Sequence, residues 1–285
     1  MTGSGTVSDP YLVADVYDFC SMNSGYYKLI NDIDFNDHNT YKYGVTRQII
    51  GGNGFAIYLD GDGHEVRNIV CSNNNRKFCF NNGSVSNTNF ANIIVSGISS
   101  SSGIRTQIFA DNFTNCNFGY YMSKSAFASI FGDNSDYKTS FVDCTFNIAG
   151  SVTYTYYYAN FNMCHINFKN LNVTGSSLFD SSYTSTTFSN TYITGSINTS
   201  SLMYLFNEKA SAYPTIRNSY LAVATDYSGL GWVDNNGYGK FSLFCIDKTL
   251  MPHMGTSKSG VYLLTSEQFK DNNYLNSIGF LAIPV

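Results

Sequence analysis

Charge is what this sequence has least of. Asp, Glu, Lys and Arg together make up 13% of its 285 residues, Glu occurs three times, and the formal net charge is −4. The 16 Lys and Arg residues are scattered without a block or stripe, which argues against a nucleic-acid partner held by phosphate neutralisation. No run approaches 18 apolar residues, so no membrane insertion by a spanning helix is expected. The opening Met1-Thr-Gly-Ser-Gly5 lacks the basic and apolar regions of a secretory signal, and Sec export is not expected either. The seven Cys are an odd number with no C-x-x-C spacing, and His38, His64, His165 and His253 are dispersed. Neither pattern supplies a metal site. Phosphate loops, dinucleotide fingerprints and nucleophile elbows are missing as well, so no cofactor is implied.

What remains is β-type and neutral. There are 23 Tyr and 22 Phe against four Pro, a balance that suits pleated surfaces. The 33 Asn and 35 Ser fit a chain with many turns, where short polar side chains bond to the local backbone.

One degenerate motif returns seven times: an apolar residue, a variable one, Asn or Asp, two variable residues and another apolar residue. The copies begin at Val66, Phe90, Phe113, Phe141, Phe168, Phe188 and Ile216, with Asn68, Asn92, Asn115, Asp143, Asn170, Asn190 and Asn218 at the polar position. Successive copies lie 24, 23, 28, 27, 20 and 28 residues apart. A repeat of that length built from short β segments is one turn of a solenoid. Ten residues before the motif a second apolar column holds Phe80, Phe131, Tyr158, Leu178 and Phe206, broken by Gly103. Two columns predict two strands per turn, with like residues stacked about 4.8 Å apart and seven turns spanning on the order of 35 Å. The motif's Asn and Asp are expected at one fixed corner, as a ladder of stacked amides. Cys116 and Cys144, which follow that position, read as small, reduced core fillers made in a reducing cytoplasm.

Three regions are expected within one structural domain: an N-terminal cap with lead-in strands over residues 1–60, the β-helix repeats over 61–246, and a C-terminal cap and tail over 247–285. In the first, Val13, Val16, Tyr17 and Phe19/Cys20 have helical spacing, and Asp60-Gly-Asp62-Gly63 is a turn that needs positive φ. In the last, Thr265-Ser-Glu-Gln268 fits a capping box ahead of Phe269, with Leu275, Ile278, Phe280 and Ile283 as an apolar tail. A solenoid end exposes core and backbone edge, so caps belong there.

These segments carry a family resemblance. Gly5-Thr-Val-Ser-Asp-Pro-Tyr-Leu-Val13, Leu29-Ile-Asn-Asp-Ile33-Asp-Phe35, Leu59-Asp-Gly-Asp-Gly-His-Glu-Val66-Arg-Asn-Ile69, Leu264-Thr-Ser-Glu-Gln-Phe-Lys270 and Tyr274-Leu-Asn-Ser-Ile-Gly-Phe280 resemble the β-helix domains of phage fibres, tailspikes and appendages and of bacterial adhesins. The resemblance implies an all-β, right-handed parallel β-helix of pectate-lyase-like type with short helical caps at both ends. It implies far less about activity, because such folds serve polysaccharide lyases, hydrolases and non-enzymatic attachment proteins alike.

Glycoside cleavage needs a pair of carboxylates at about 5 Å, or at roughly 6.5–9.5 Å. The column eight residues before the motif holds Asn82, Asp133, Asn160, Asp180 and Glu208, and Asp180 with Glu208 forms its acidic step. A turn ladder explains the same residues, and Asp32, Asp34, Asp37, Asp60 and Asp62 read as strand or loop residues, with calcium ligation a remote alternative for the last two. Binding chemistry is better supplied. Tyr121 and Tyr157 stand outside the core columns, where a phenol can pack against a subunit, stack on a sugar or simply face water, and Asp133 of the turn column is the third binding candidate. The expectation is therefore a non-enzymatic virion structural or attachment subunit, homo-oligomeric with a trimer as the first guess. It would contact other virion proteins and a host glycan or protein at the virion surface. A polysaccharide-degrading spike using Asp180 and Glu208, and an adhesin module at a bacterial cell surface, are the alternatives.

Overall fold

A computed structural model of the chain describes residues 1–36, 56–71, 78–95, 108–131, 139–157, 159–174, 177–180, 186–199, 203–207, 214–225, 230–233, 239–252 and 259–280. It is a right-handed parallel β-helix. All 21 ladders between its named strands are parallel, and one antiparallel bridge, Thr2 to Leu12, closes the N-terminal edge. The pairing starts with Tyr11–Val13 and ends with Val261–Leu264.

Some turns carry the two strands expected, such as Thr139–Val142 with Thr145–Tyr157, and others carry three. One turn runs through Ala159–Asn162, His165–Val173 and Ser177–Asp180 before Thr187–Ser189 stacks on its start. Two inward columns follow from the register. The first is Tyr11, Tyr27, Leu59, Val85, Phe113, Phe141, Phe161, Phe188, Ile216 and Phe241. The second is Ile33, Val66, Phe90, Phe118, Phe146, Ile166, Ile193, Leu221, Ile246 and Leu263.

The sequence motif had merged these columns. Val66 and Phe90 belong to the second and Phe113, Phe141, Phe188 and Ile216 to the first, while Phe168 pairs with Ile148 and Gly195 in neither. The aromatic cores of the two columns stack within themselves and meet edge-on. Phe113, Phe141, Phe161 and Phe188 lie 5.0 to 5.4 Å apart and within 11° of parallel. Phe118 and Phe146 stack at 4.9 Å, and Phe146 meets Phe141 at 86°. Offset-parallel and edge-to-face contacts satisfy the ring quadrupole along both directions of the core.

All seven motif Asn and Asp residues have positive φ, between 42° and 63°. They nevertheless occupy three different corners. Asn115, Asp143, Asn190 and Asn218 turn the chain from the first column to the second, together with Asn87, Met163 and Leu243, which the motif missed. Asn68 and Asn92 turn it after the second column, and that bend gives way to extended strand at Gly119 and Tyr120. Asn170 is the bulged residue of a third corner, where neighbouring turns place Gly150 and Gly195. Each corner needs the left-handed region, which Asn and Gly reach at least cost, so one residue preference recurs at unrelated positions.

Behind the first corner lies a buried polar row. Thr88, Cys116, Cys144, Cys164, Thr191 and Ser219 are at most 1% exposed. Each donates its hydroxyl or thiol to the backbone carbonyl two residues earlier, at 2.7–3.4 Å. The cysteines are thus small donors filling the space of Thr and Ser. Among the described residues they are all free thiols. Hydrogen bonding with the Cys116 and Cys164 thiols, reinforced by burial, pushes the Cys144 thiol far above its ordinary range.

Both ends carry the expected helices. Val16–Cys20 (α1) buries Val16 and Phe19 and is capped by Asp15. Ser266–Lys270 (α2) has the full capping box, with Thr265 Oγ1 accepting from the Gln268 N–H and Gln268 Oε1 accepting from the Thr265 N–H. Asn272–Ser277 (α3) follows, and Leu275 and Phe280 pack on Cys245 and Leu264. None of the helices among the described residues is long and apolar enough to cross a membrane.

Candidate functional site

Three outward features have enough definition to carry chemistry. The first is the wall over the first column, whose register runs without a shift from Ser84 to Arg217. Strand alternation turns the residues on either side of each buried apolar residue outward. One row is Ser84, Asn112, Ser140, Asn160, Thr187 and Thr215, and the other is Ser86, Thr114, Val142, Asn162, Ser189 and Arg217. Ten of these twelve positions are Ser, Thr or Asn. The rows repeat at about 4.8 Å along the axis and roughly 6.6 Å across it, the spacings of adjacent strands and alternate residues.

The second is the concentration of charge at the N-terminal turns. Arg67 donates from Nε to Asp34 at 3.0 Å and from Nη1 to Glu65 at 2.9 Å. His64 Nδ1 lies 3.2 Å from Asp32, and Lys28 pairs with Asp62 at 3.0 Å. The Asn68 amide, the Asn36 N–H and Arg67 together hold the Asp34 carboxyl down to about 2. The Glu65 N–H and the His64 ring lower Asp32. These carboxylates are ionised and already engaged, which suits neither a raised-pKa general acid nor a free nucleophile. Among the described residues no group of three or more His, Cys, Asp or Glu is placed to hold a metal ion.

The third is a cleft of about 380 Å³ between the wall over the second column and the C-terminal cap. Tyr192 and Tyr220 stand in successive turns with ring centroids 4.4 Å apart, and Phe269 of α2 closes on Tyr220 at 5.3 Å. Burial and mutual proximity raise the Tyr192 phenol, and burial raises that of Tyr220. His165 continues the row, edge-on to Tyr192 at 6.1 Å with Nε2 2.7 Å from Thr194 Oγ1. Burial lowers its pKa. Asp247, 4% exposed, and Ser266 line the same cleft, with Lys270 exposed beside them. Sequence reading missed this site because its residues come from four turns and a cap, and no local pattern joins them.

Of the residues expected to form a site, Tyr121 and the backbones of Tyr157 and Asp180 lie among the described residues. Tyr121 is 51% exposed on the wall over the second column, between Ile94 and Ala149. Tyr157 ends its strand opposite Phe131, and its side chain lies outside the described residues. Asp133 and Glu208 also fall outside them. Asp180 pairs with Tyr156 in one neighbouring turn and with Asn207 in the other, so the acidic step drawn to Glu208 was one residue out of register. Phe179, and not Leu178, faces Phe206 for the same reason. Turns of unequal length move the third strand relative to the motif, and an offset counted from the motif slips with them.

Comparison with known proteins bears on the fold alone. No family model matches the chain, and no curated protein matches it. Among solved structures it is similar to a Bacteroides ovatus protein described as a candidate immunoglobulin A1 protease, at 14% identity and a TM-score of 0.50, over 97% of this chain and 89% of that one.

Proposed function

We propose that this protein is a non-enzymatic attachment or structural subunit of a virion fibre, spike or appendage, presenting its side wall to a host-surface glycan or protein. The observation that carries the reading is the wall of Ser, Thr and Asn over the first column, unbroken in register across six turns. An array of uncharged donors and acceptors at fixed spacing, with Arg217 as its one charge, suits a neutral, repetitive partner, because it offers many weak hydrogen bonds and little net field to select charge. The scaffold is stiff, with two aromatic stacks locked edge to face, so little ordering entropy is lost when the wall is covered. Homo-oligomerisation, a trimer being the first guess, would multiply such contacts.

The test is to incubate purified protein with capsular and cell-wall glycans and follow both retention and reducing ends. Retention without cleavage is expected. Release of reducing ends that disappears in Asp180→Asn would replace this reading with a polysaccharide-degrading spike, and failure to retain any host-surface glycan or protein would remove it.

A further inference from the structure

The C-terminal cleft is lined by a buried carboxylate, Asp247, whose hydrogen bonds all come from neutral groups. Asp247 Oδ1 accepts from the Thr249 and Leu250 N–H groups at 2.8 and 3.3 Å, and Oδ2 accepts from Ser266 Oγ at 2.7 Å. Those three donors are neutral, and among the described residues Asp247 has no ion pair. The carboxylate is 4% exposed and its three bonds come from neutral donors, so a cation reaching it would be poorly screened by water. The wall of the same cleft is made by the rings of Tyr192, Tyr220 and Phe269, whose faces carry the negative end of the aromatic quadrupole. Carboxylate and ring faces attract the same kind of group. The volume, about 380 Å³, lies in the range of small-ligand sites.

We infer that this cleft binds a ligand bearing an ammonium group, primary or quaternary, seated against Tyr192, Tyr220 and Phe269 and drawn in by Asp247. Such a group recovers the Coulomb energy that the buried carboxylate lacks and gains cation–π attraction from the rings. Lys270 is exposed at the cleft and makes no ion pair with Asp247. The part of the ligand that passes it is therefore neutral or anionic and not a second cation. The site is separate from the Ser, Thr and Asn wall, and it stands whether or not that wall binds glycan.

Isothermal titration calorimetry of the full chain tests this with choline chloride, with ethanolamine hydrochloride, and with 3,3-dimethylbutan-1-ol, the neutral carbon counterpart of choline, none of which is a sugar that the wall would take. Saturable binding of at least one cation and none of the neutral alcohol is expected. Choline alone identifies a quaternary ammonium ligand, and ethanolamine alone a primary one. Tyr220→Leu leaves an apolar side chain but removes the ring face, and it should weaken binding roughly 5- to 30-fold in protein that still unfolds cooperatively. Asp247→Asn keeps the Oδ1 acceptor of the turn, removes the charge and should abolish binding. If that variant does not fold, Tyr220→Leu carries the test. No saturable binding of either cation by folded protein, binding of the neutral alcohol equal to choline, or Tyr220→Leu binding as the wild type would each overturn the assignment.

Discussion

The side-chain amide of Asn115 donates a 2.8 Å hydrogen bond to Oδ1 of Asn87, one turn earlier on the same corner. Asn87 in turn donates to Asp60 at 2.9 Å. Asn218 donates to Asn190 at 2.8 Å and Asn190 to Asn162 at 3.1 Å, while at the second corner Asn92 donates to Asn68 and Asn68 to Asp34, each at 2.6 Å. Every rung points its N–H toward the N-terminal turn, and two of the three ladders end on a carboxylate, which accepts such bonds best. A corner residue thus serves twice, as the left-handed turn and as a rung.

These two roles can be separated at Asn115, where φ is 51°. Asn115→Gly keeps the turn and loses the rung, and it should cost about 1 kcal/mol. Asn115→Val also forces a β-branched residue into the left-handed region, and it should cost about 2–3 kcal/mol. Urea denaturation midpoints of the two variants give the order, and equal midpoints would show that the backbone is not the constraint.

Asp34 supplies a pH dependence with a definite sign. Its carboxyl is held down to about 2 by Asn68, Asn36 and Arg67, below the ordinary value near 3.8. The folded state therefore binds this proton less readily than the unfolded chain. The contribution is complete above about pH 4 and is lost as pH falls through about 2. Thermal midpoints of wild type and Asp34→Asn should differ at neutral pH and converge between about pH 4 and 2.

The thiols of Cys116, Cys144 and Cys164 should resist alkylation by iodoacetamide in the folded protein and react on unfolding, read by peptide mass mapping. Their burial of 1% or less blocks access, and the raised Cys144 thiol also resists ionisation. Cys144→Ser retains the donor to the Val142 carbonyl and should cost under about 1 kcal/mol, whereas Cys144→Leu overpacks the row and should cost roughly 1–3 kcal/mol.

At the third corner Gly150 has φ 96°, and a Cβ there would collide with the carbonyl oxygen of Met122. Gly150→Ala should lower stability by about 2–3 kcal/mol in the same denaturation assay. Asn170→Gly, at the equivalent bulge one turn on, should change it by less than about 1 kcal/mol, because the conformation is already open to glycine.

Attachment through the neutral wall predicts that Ser140→Arg and Thr187→Arg reduce retention on host-surface glycan or protein at least tenfold. Both sites lie on the surface, and stability should stay within about 0.5 kcal/mol of wild type. Unchanged retention in the double variant would move the contact surface elsewhere.

The alternation of buried and exposed residues, the corner Asn and Asp, and the capping box at Thr265 were all legible in the chain. Each is set by neighbours a few residues apart: a strand has period two, the left-handed region favours Asn, and a helix start needs local acceptors. On that footing the sequence determined a solenoid of stacked β turns with capped ends, and the family resemblance added the parallel β-helix. Which corner each Asn occupies was not legible, because Val66-x-Asn68 and Phe113-x-Asn115 have one local form and two places in the coil. That assignment waited on the register between turns, which also set Asp180 against Asn207 and divided the core into two columns. Tyr192, Tyr220, Asp247 and Phe269 share a cleft only because the coil stacks successive turns and the cap folds back over them. Local patterns are fixed by near neighbours, whereas register and the convergence of distant side chains are decided by how turns of unequal length pack, and only the tertiary structure holds that information.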